Sequence, residues 1–369
     1  MKTRPPVDLS RLEVRPLAER ESLSGLEEIL IPPDAPPPAC SGPLRDTIAG
    51  CAANIRAARA SGASVLLIFG AHLIRNGAAL LMARLMEGGW VTHLATNGAG
   101  TIHDWEYAWL GRSTESVERN VASGTFGIWE ETGRNIHLAL LAGGLRGDGY
   151  GAALGRFISE DGALLPDPEE LTAALRAEPA HPLAPARADL LGAMMRHGLK
   201  AGWQEVVHRW KHGSVAARAW RAGVPLTVHP GIGYDIIANH PMFNGAVIGR
   251  AAGIDFCRFA GAVDGLDGGV VLSIGSAIMG PQVFEKALSC AHNLRFQAGR
   301  PRVSGYHIYV VDLQEGGGWD WSRGEPPKDH PAYYLRFCKS YSRMGAAMHY
   351  VQEDNARFVH WLYDELRRP

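Results

Sequence analysis

The sequence predicts an α/β fold: an open, mostly parallel sheet of the Rossmann type with helices on both faces. Three observations predict it. Short apolar runs alternate with longer stretches whose apolar residues recur at helical spacing, as parallel βαβ units require. The runs are apolar enough to mark strands covered on both faces. Polar or glycine-rich corners follow them, in a chain with 44 glycines among 369 residues, well above the usual share of roughly 7%.

Residues 1–44 are rich in charge and proline, whose fixed φ and missing N–H prevent regular pairing, and read as an arm ahead of a domain spanning 45–369. The stretch 43–62 has helical periodicity and a glycine stop, and 64–69 is a short buried strand. Residues 73–89 read as a helix and 90–96 as the next strand. Helices separated by glycine follow to about residue 143, and 157–190 is a proline-punctuated surface excursion. The alternation resumes with helix 214–223, strand 224–231, helix 245–261, strand 268–275, helix 282–294 and strand 306–313. At least five apolar strands result, with ligand sites expected beyond their carboxyl ends.

Composition narrows the function. With 37 Lys and Arg against 38 Asp and Glu, the chain has neither the basic footprint of a nucleic-acid binder nor a polybasic membrane anchor. Five cysteines without a C-x-x-C spacing disfavour a zinc cage and a disulfide framework, so no metal is expected and a reducing compartment fits. The N-terminus lacks the apolar run of a signal sequence, and no apolar stretch is long enough to span a bilayer. The protein is therefore expected in the cytoplasm.

Four corners could form a ligand site: Gly70-Ala71-His72, Asn97-Gly98-Ala99-Gly100, His229 to Asp235, and Gly275-Ser276-Ala277. Glycine there lets backbone N–H groups approach a phosphate, although it also serves to turn a βα corner. The loop Thr96 to Glu106 adds His103, Asp104 and Glu106, the residue types needed for proton transfer or for gripping an amine or ribose. Asp104 could equally serve a helix N-terminus. Downstream, Asp312 to Trp321 places carboxylates and two indoles on one segment, a composition suited to a cationic ligand.

These segments resemble, in order, the motifs of the deoxyhypusine synthase family. Gly70 to Gly77, Thr96 to Asp104, His229 to Asp235 and Tyr306 to Asp320 carry the likeness, which covers roughly residues 45 to 345. Members of that family use NAD on a parallel-sheet fold to move an aminobutyl group from spermidine to a protein lysine. The resemblance implies NAD contacts at Thr96, Gly98, Asp104, Gln314 and Glu315, and an amine-contacting carboxylate at Asp320. Two motifs depart. The family's stretch with the lysine and histidine base is here Gly275 to Gln282, which has neither. In register with its imine-forming lysine stand Pro331-Ala332-Tyr333, with Lys328 and Lys339 the nearest amines. Without that amine the family's covalent step lacks its nucleophile.

The expectation is a deoxyhypusine synthase-like homodimer or homotetramer that binds NAD or a related nucleotide and acts on a small amine, such as a polyamine, without the family's lysine. His103, Asp104 and His229 are the candidate catalytic groups. Gly70, His72, Thr96, Asn97, Gly98, Asp235, Gly275, Ser276, Gln314 and Glu315 are the candidate cofactor contacts. Glu106, Trp319 and Asp320 are the candidate substrate contacts. The alternative is a non-catalytic nucleotide sensor or scaffold on the same fold.

Overall fold

The computed structural model describes residues 4–368. One six-stranded sheet organises them: β1 (Val65–Phe69), β2 (His93–Thr96), β3 (Leu226–Val228), β4 (Val270–Ile274), β5 (His307–Asp312) and β6 (Ala347–Gln352). Their order is 6-5-4-1-2-3, and every neighbouring pair is parallel. The sheet is therefore open and wholly parallel, with five of its strands on the apolar runs. The sixth, β6, is an edge strand with exposed residues at both ends, so no apolar run announces it.

Nine principal helices flank it: α1 (Gly42–Ala60), α2 (Ala79–Glu87), α3 (Gly98–Leu110), α4 (Glu130–Gly144), α5 (Tyr150–Glu160), α6 (Val215–Ala222), α7 (Gly245–Asp264), α8 (Met279–Gln297) and α9 (Asn355–Leu366). Strand side chains alternate between two cores. Val65, Leu67 and Phe69 of β1 join Ile55 of α1, Leu81 of α2 and Phe358 of α9. Leu66 and Ile68 join Phe259 of α7 and Phe284 of α8. Each fully buried Leu, Ile, Val or Phe contributes about 1.5–3 kcal/mol, which favours coverage of both faces.

Strand succession runs outward from β1 through β2 to β3, then restarts at β4 on the other side of β1. The junction of β1 and β4 is thus the topological switch point, where open α/β sheets leave a crevice for ligands. Backbone bonds continue past the strands and tie the corners into one edge. His229 N donates to Thr96 O (2.8 Å), Gly70 N to Ile274 O (3.1 Å) and Gly275 N to Val311 O (2.9 Å). At the junction a Cβ on Gly70 would drive into the Gly275 carbonyl, and Gly275 holds φ +60°, so both positions need glycine.

The N-terminal segment lies along the domain. Ser24 and Gly25 pair antiparallel with Arg112 and Ser113, and Ile31 N donates to Gly77 O at 3.1 Å. Trp361 Nε1 of α9 donates to Pro38 O at 2.7 Å. The excursion leaves at Asp161 and is closed by a bond from Val206 N to Asp161 O (2.9 Å). It holds an antiparallel ladder, Gly162–Leu165 with Gly202–Glu205, and two helices, Pro168–Ala177 and Ala184–His197. Of its prolines, Pro168 and Pro185 stand in the first turns of those helices, where a missing N–H costs nothing, and Pro166, Pro179 and Pro182 lie between elements. Among the described residues, no helix is long and apolar enough to cross a membrane.

Candidate functional site

Residues 98–106, expected as a loop, are the first turns of α3. Helical phase then decides where their side chains go. His103 and Glu106, three residues apart, share a face and line a cavity of about 220 Å³ at the carboxyl edge of the sheet. Arg20, Arg75, Glu115, Tyr234 and Asp235 line it as well.

Glu106 is the anchor of this wall. Its Oε1 accepts from Arg20 Nη1 (2.7 Å) and Thr132 Oγ1 (2.9 Å). Its Oε2 accepts from Arg20 Nη2 (2.8 Å) and Ser113 Oγ (2.6 Å). Burial alone would raise the Glu106 pKa, but the paired guanidinium outweighs it and holds the carboxyl below its usual range. The expected substrate contact is therefore a saturated structural carboxylate. His103 Nδ1 lies 2.8 Å from Ser113 Oγ. Burial lowers the His103 pKa to about 4, opposed by Glu106 and assisted by Arg75, Arg20 and His72, so the ring is neutral at pH 7.

Asp235 closes the cavity from the loop after β3. Its carboxylate accepts from Gly231 N at 2.7 Å and from Ala99 N at the start of α3, and burial raises its pKa to about 6. The N-terminus of α3, expected to hold a phosphate at Gly98, is thus occupied by a protein carboxylate, and a Cβ at Gly98 would collide with it. Asn97 caps the same helix by accepting from Gly100 N at 3.0 Å. Glu115 accepts from Trp129 Nε1 (3.1 Å) and Asn120 Nδ2 (2.6 Å). Arg75 is exposed, with no ion pair among the described residues, and stands one turn from the exposed His72.

Two expected catalytic groups are turned away. Asp104, next to His103 but about a third of a turn around α3, accepts from Ser214 Oγ (2.6 Å), Val215 N (2.6 Å) and Ala216 N (3.2 Å). It serves the N-terminus of α6, although burial raises its pKa to about 6. His229 lies edge-on to Phe259 of α7, with Nε2 3.3 Å from Thr227 Oγ1. Burial lowers its pKa to about 4. Packing against a core aromatic removes it from the edge.

The remaining residues lie along the edge or beyond it. Thr96 is buried and donates from Oγ1 to Phe69 O at 2.9 Å. Ser276 Oγ accepts from Gly280 N at 3.0 Å. Gln314 and Glu315 are exposed after β5. Asp320 caps a short turn by accepting from Ser322 N (3.1 Å), and Trp319 donates to Gly324 O (2.9 Å). Both expected substrate contacts thus make local bonds, on the wing of the sheet opposite the cavity. Ile232, Tyr234, Ile278 and Leu313 stand exposed on the corners after β3, β4 and β5, an apolar rim of the sort that ligand crevices carry. Arg20, Arg75, Ser113 and Glu115 were not anticipated. Arg75 lies within the Gly70 to Gly77 turn, whereas the other three follow no apolar strand and carry no motif.

The fold and site define an open, doubly wound α/β protein with a histidine-bearing cavity over the β2 and β3 corners of its sheet. No family model matches the chain, and no curated protein matches it. Among solved structures it is similar to the ternary complex of AgrE with ornithine and NAD+, at 14% identity and a TM-score of 0.44 over 89% of this chain and 34% of that one. It is also similar to apo ArgZ, an arginine dihydrolase from the ornithine-ammonia cycle in cyanobacteria, at 15% identity and a TM-score of 0.39 over 87% and 32%. An LOR/SDH protein from Methanococcus maripaludis S2 gives 14% identity and a TM-score of 0.41 over 91% and 73%. The chain spans about a third of the length of AgrE and ArgZ.

Proposed function

We propose that this protein is an enzyme that binds NAD along the carboxyl edge of its sheet and acts on a small amine-containing molecule in the adjoining cavity. The observation that carries the reading is the cavity itself. A neutral, oriented imidazole and the Asp235 carboxylate line a half-open space over the β2 and β3 corners of a parallel sheet.

The edge suits a dinucleotide along the exposed Ile278 and Leu313 rim after β4 and β5, while the Gly70 and Gly275 junction behind it is closed by the Gly275 carbonyl and Asn355. It does not suit a phosphate at Gly98, because Asp235 already takes the N–H of Ala99. When bound, a nicotinamide ring supplies hydride acceptance. The chain's own residues would do the rest. Asp235 places negative charge where an ammonium group can sit, and Arg75 at the mouth suits an acidic group on the same ligand. His103 Nε2 takes a proton from the amine or from a neighbouring carbon.

The likeness to deoxyhypusine synthases supports this reading for the cofactor and the amine, not for imine transfer. Tyr333 stands at the lysine position, in the short turn Pro331–Tyr334, and Lys339 Nζ lies 3.5 Å from the centroid of its ring.

The test is turnover. Purified protein with NAD is offered a panel of diamines and amino acids, with nicotinamide absorbance and mass spectrometry as readouts. Consumption that disappears in His103→Asn supports the proposal. NAD binding without turnover of any amine would favour the sensor reading instead.

A further inference from the structure

An imidazole can act as a proton acceptor only through the nitrogen that carries no hydrogen, and the wall behind His103 decides which one that is. Glu106 has both oxygens filled: Arg20 and Thr132 donate to Oε1, Arg20 and Ser113 to Oε2. A carboxylate paired with a guanidinium only accepts, and a serine hydroxyl has one hydrogen. At 2.6 Å from Glu106 Oε2, Ser113 gives that hydrogen to the carboxylate. Its oxygen is left to accept, and the group facing it at 2.8 Å is His103 Nδ1.

We infer that Ser113 is a positioning residue that fixes His103 as the Nδ1–H tautomer, so that the unprotonated Nε2 is the proton acceptor of the cavity. Among the described residues Nε2 has no hydrogen-bond partner. The hydroxyl is itself held in place, because Ser113 pairs with Ser24 in the two-residue ladder of the N-terminal segment, and Arg20 of that segment aligns Glu106. The base thus heads a chain of four side chains, His103 to Ser113 to Glu106 to Arg20, which ends on the arm. A role in orienting the ring, rather than in the chemistry, is what the hydrogen count assigns to Ser113.

The inference rests on His103 as the base of the proposed reaction, but its test needs neither cofactor nor substrate, so the two can fail separately. The full chain is labelled with heavy nitrogen in its histidine rings, and the His103 resonances are assigned by their loss in His103→Asn. At neutral pH the wild type should show a protonated, pyrrole-type Nδ1 and an unprotonated, pyridine-type Nε2. Ser113→Thr, which keeps the hydroxyl, should preserve that pattern, and Ser113→Ala should shift the ring toward the Nε2–H form. An Nε2–H ring in the wild type would overturn the inference. So would a folded Ser113→Ala protein with an unchanged tautomer ratio. The wild-type spectrum decides the matter even if the alanine variant does not fold.

Discussion

Arg20 and Glu106, 86 residues apart in sequence, form a bidentate ion pair at 2.7 and 2.8 Å with both side chains 1% exposed. The pair ties the N-terminal segment to the helix that carries His103. Removing one partner of a buried pair leaves the other charge unsatisfied, at a cost of about 3–5 kcal/mol. Arg20→Ala should lower the free energy of unfolding by that order, read as a reduced denaturant midpoint with an unchanged slope. A midpoint within experimental error of the wild type would show that the pair is not formed.

His103→Asn should reduce turnover by about 10²–10⁴-fold, the usual contribution of a positioned general base. NAD affinity should stay the same, because the ring lines the cavity and not the Ile278 and Leu313 rim. Steady-state rates with a calorimetric titration separate the two quantities.

Gly70→Ala and Gly253→Ala should have opposite effects. A Cβ at Gly70 meets the Gly275 carbonyl, with backbone on both sides and little room to yield, so overpacking should cost about 1–3 kcal/mol. A Cβ at Gly253, within α7, meets nothing within 4 Å. There the reduced freedom of the unfolded chain should stabilise the protein by roughly 0.5–1 kcal/mol. Equilibrium unfolding of the two variants in parallel checks both signs.

Acid should destabilise the fold between about pH 6.5 and 4. Burial lowers the pKa of His93 to about 3 and those of His103, His137, His208 and His229 to about 4, from 6.5. Their contribution is complete above 6.5 and is lost as pH falls through the folded values, because the unfolded chain takes up protons first. Asp104 and Asp235, raised to about 6, and Asp255, raised to about 7, act oppositely. Their contribution is full below 3.8 and declines as pH rises through the folded values. Five imidazoles against three carboxyls leave the histidines dominant, so stability should fall from pH 6.5 to 4. A flat or rising profile in denaturant midpoints across that window would contradict this balance.

The strands were legible in the sequence because each central run is buried and mostly apolar. β6 was not, since an edge strand that mixes His349 and Gln352 with Met348 and Val351 carries no such signature. The corners were legible for the same reason as the strands they follow. The directions of their side chains were not. Once α3 starts at Gly98, a phase of about 100° per residue separates His103 and Glu106 from Asp104, and only the start of the helix fixes that phase. Asp235 could be read as an acidic loop residue, but its seat on the N–H of Ala99 depends on how the β3 corner folds back. Arg20 and Ser113 had no local signal at all, because their roles exist only where the arm crosses α3.

The most direct test of the account is thermal unfolding of the full chain with and without NAD. A ligand that binds only the native state at about 100 times its Kd adds about 2.7 kcal/mol, so Tm should rise with NAD concentration. An unchanged Tm with NAD, NADP and other adenine nucleotides would contradict dinucleotide binding at the edge of this sheet.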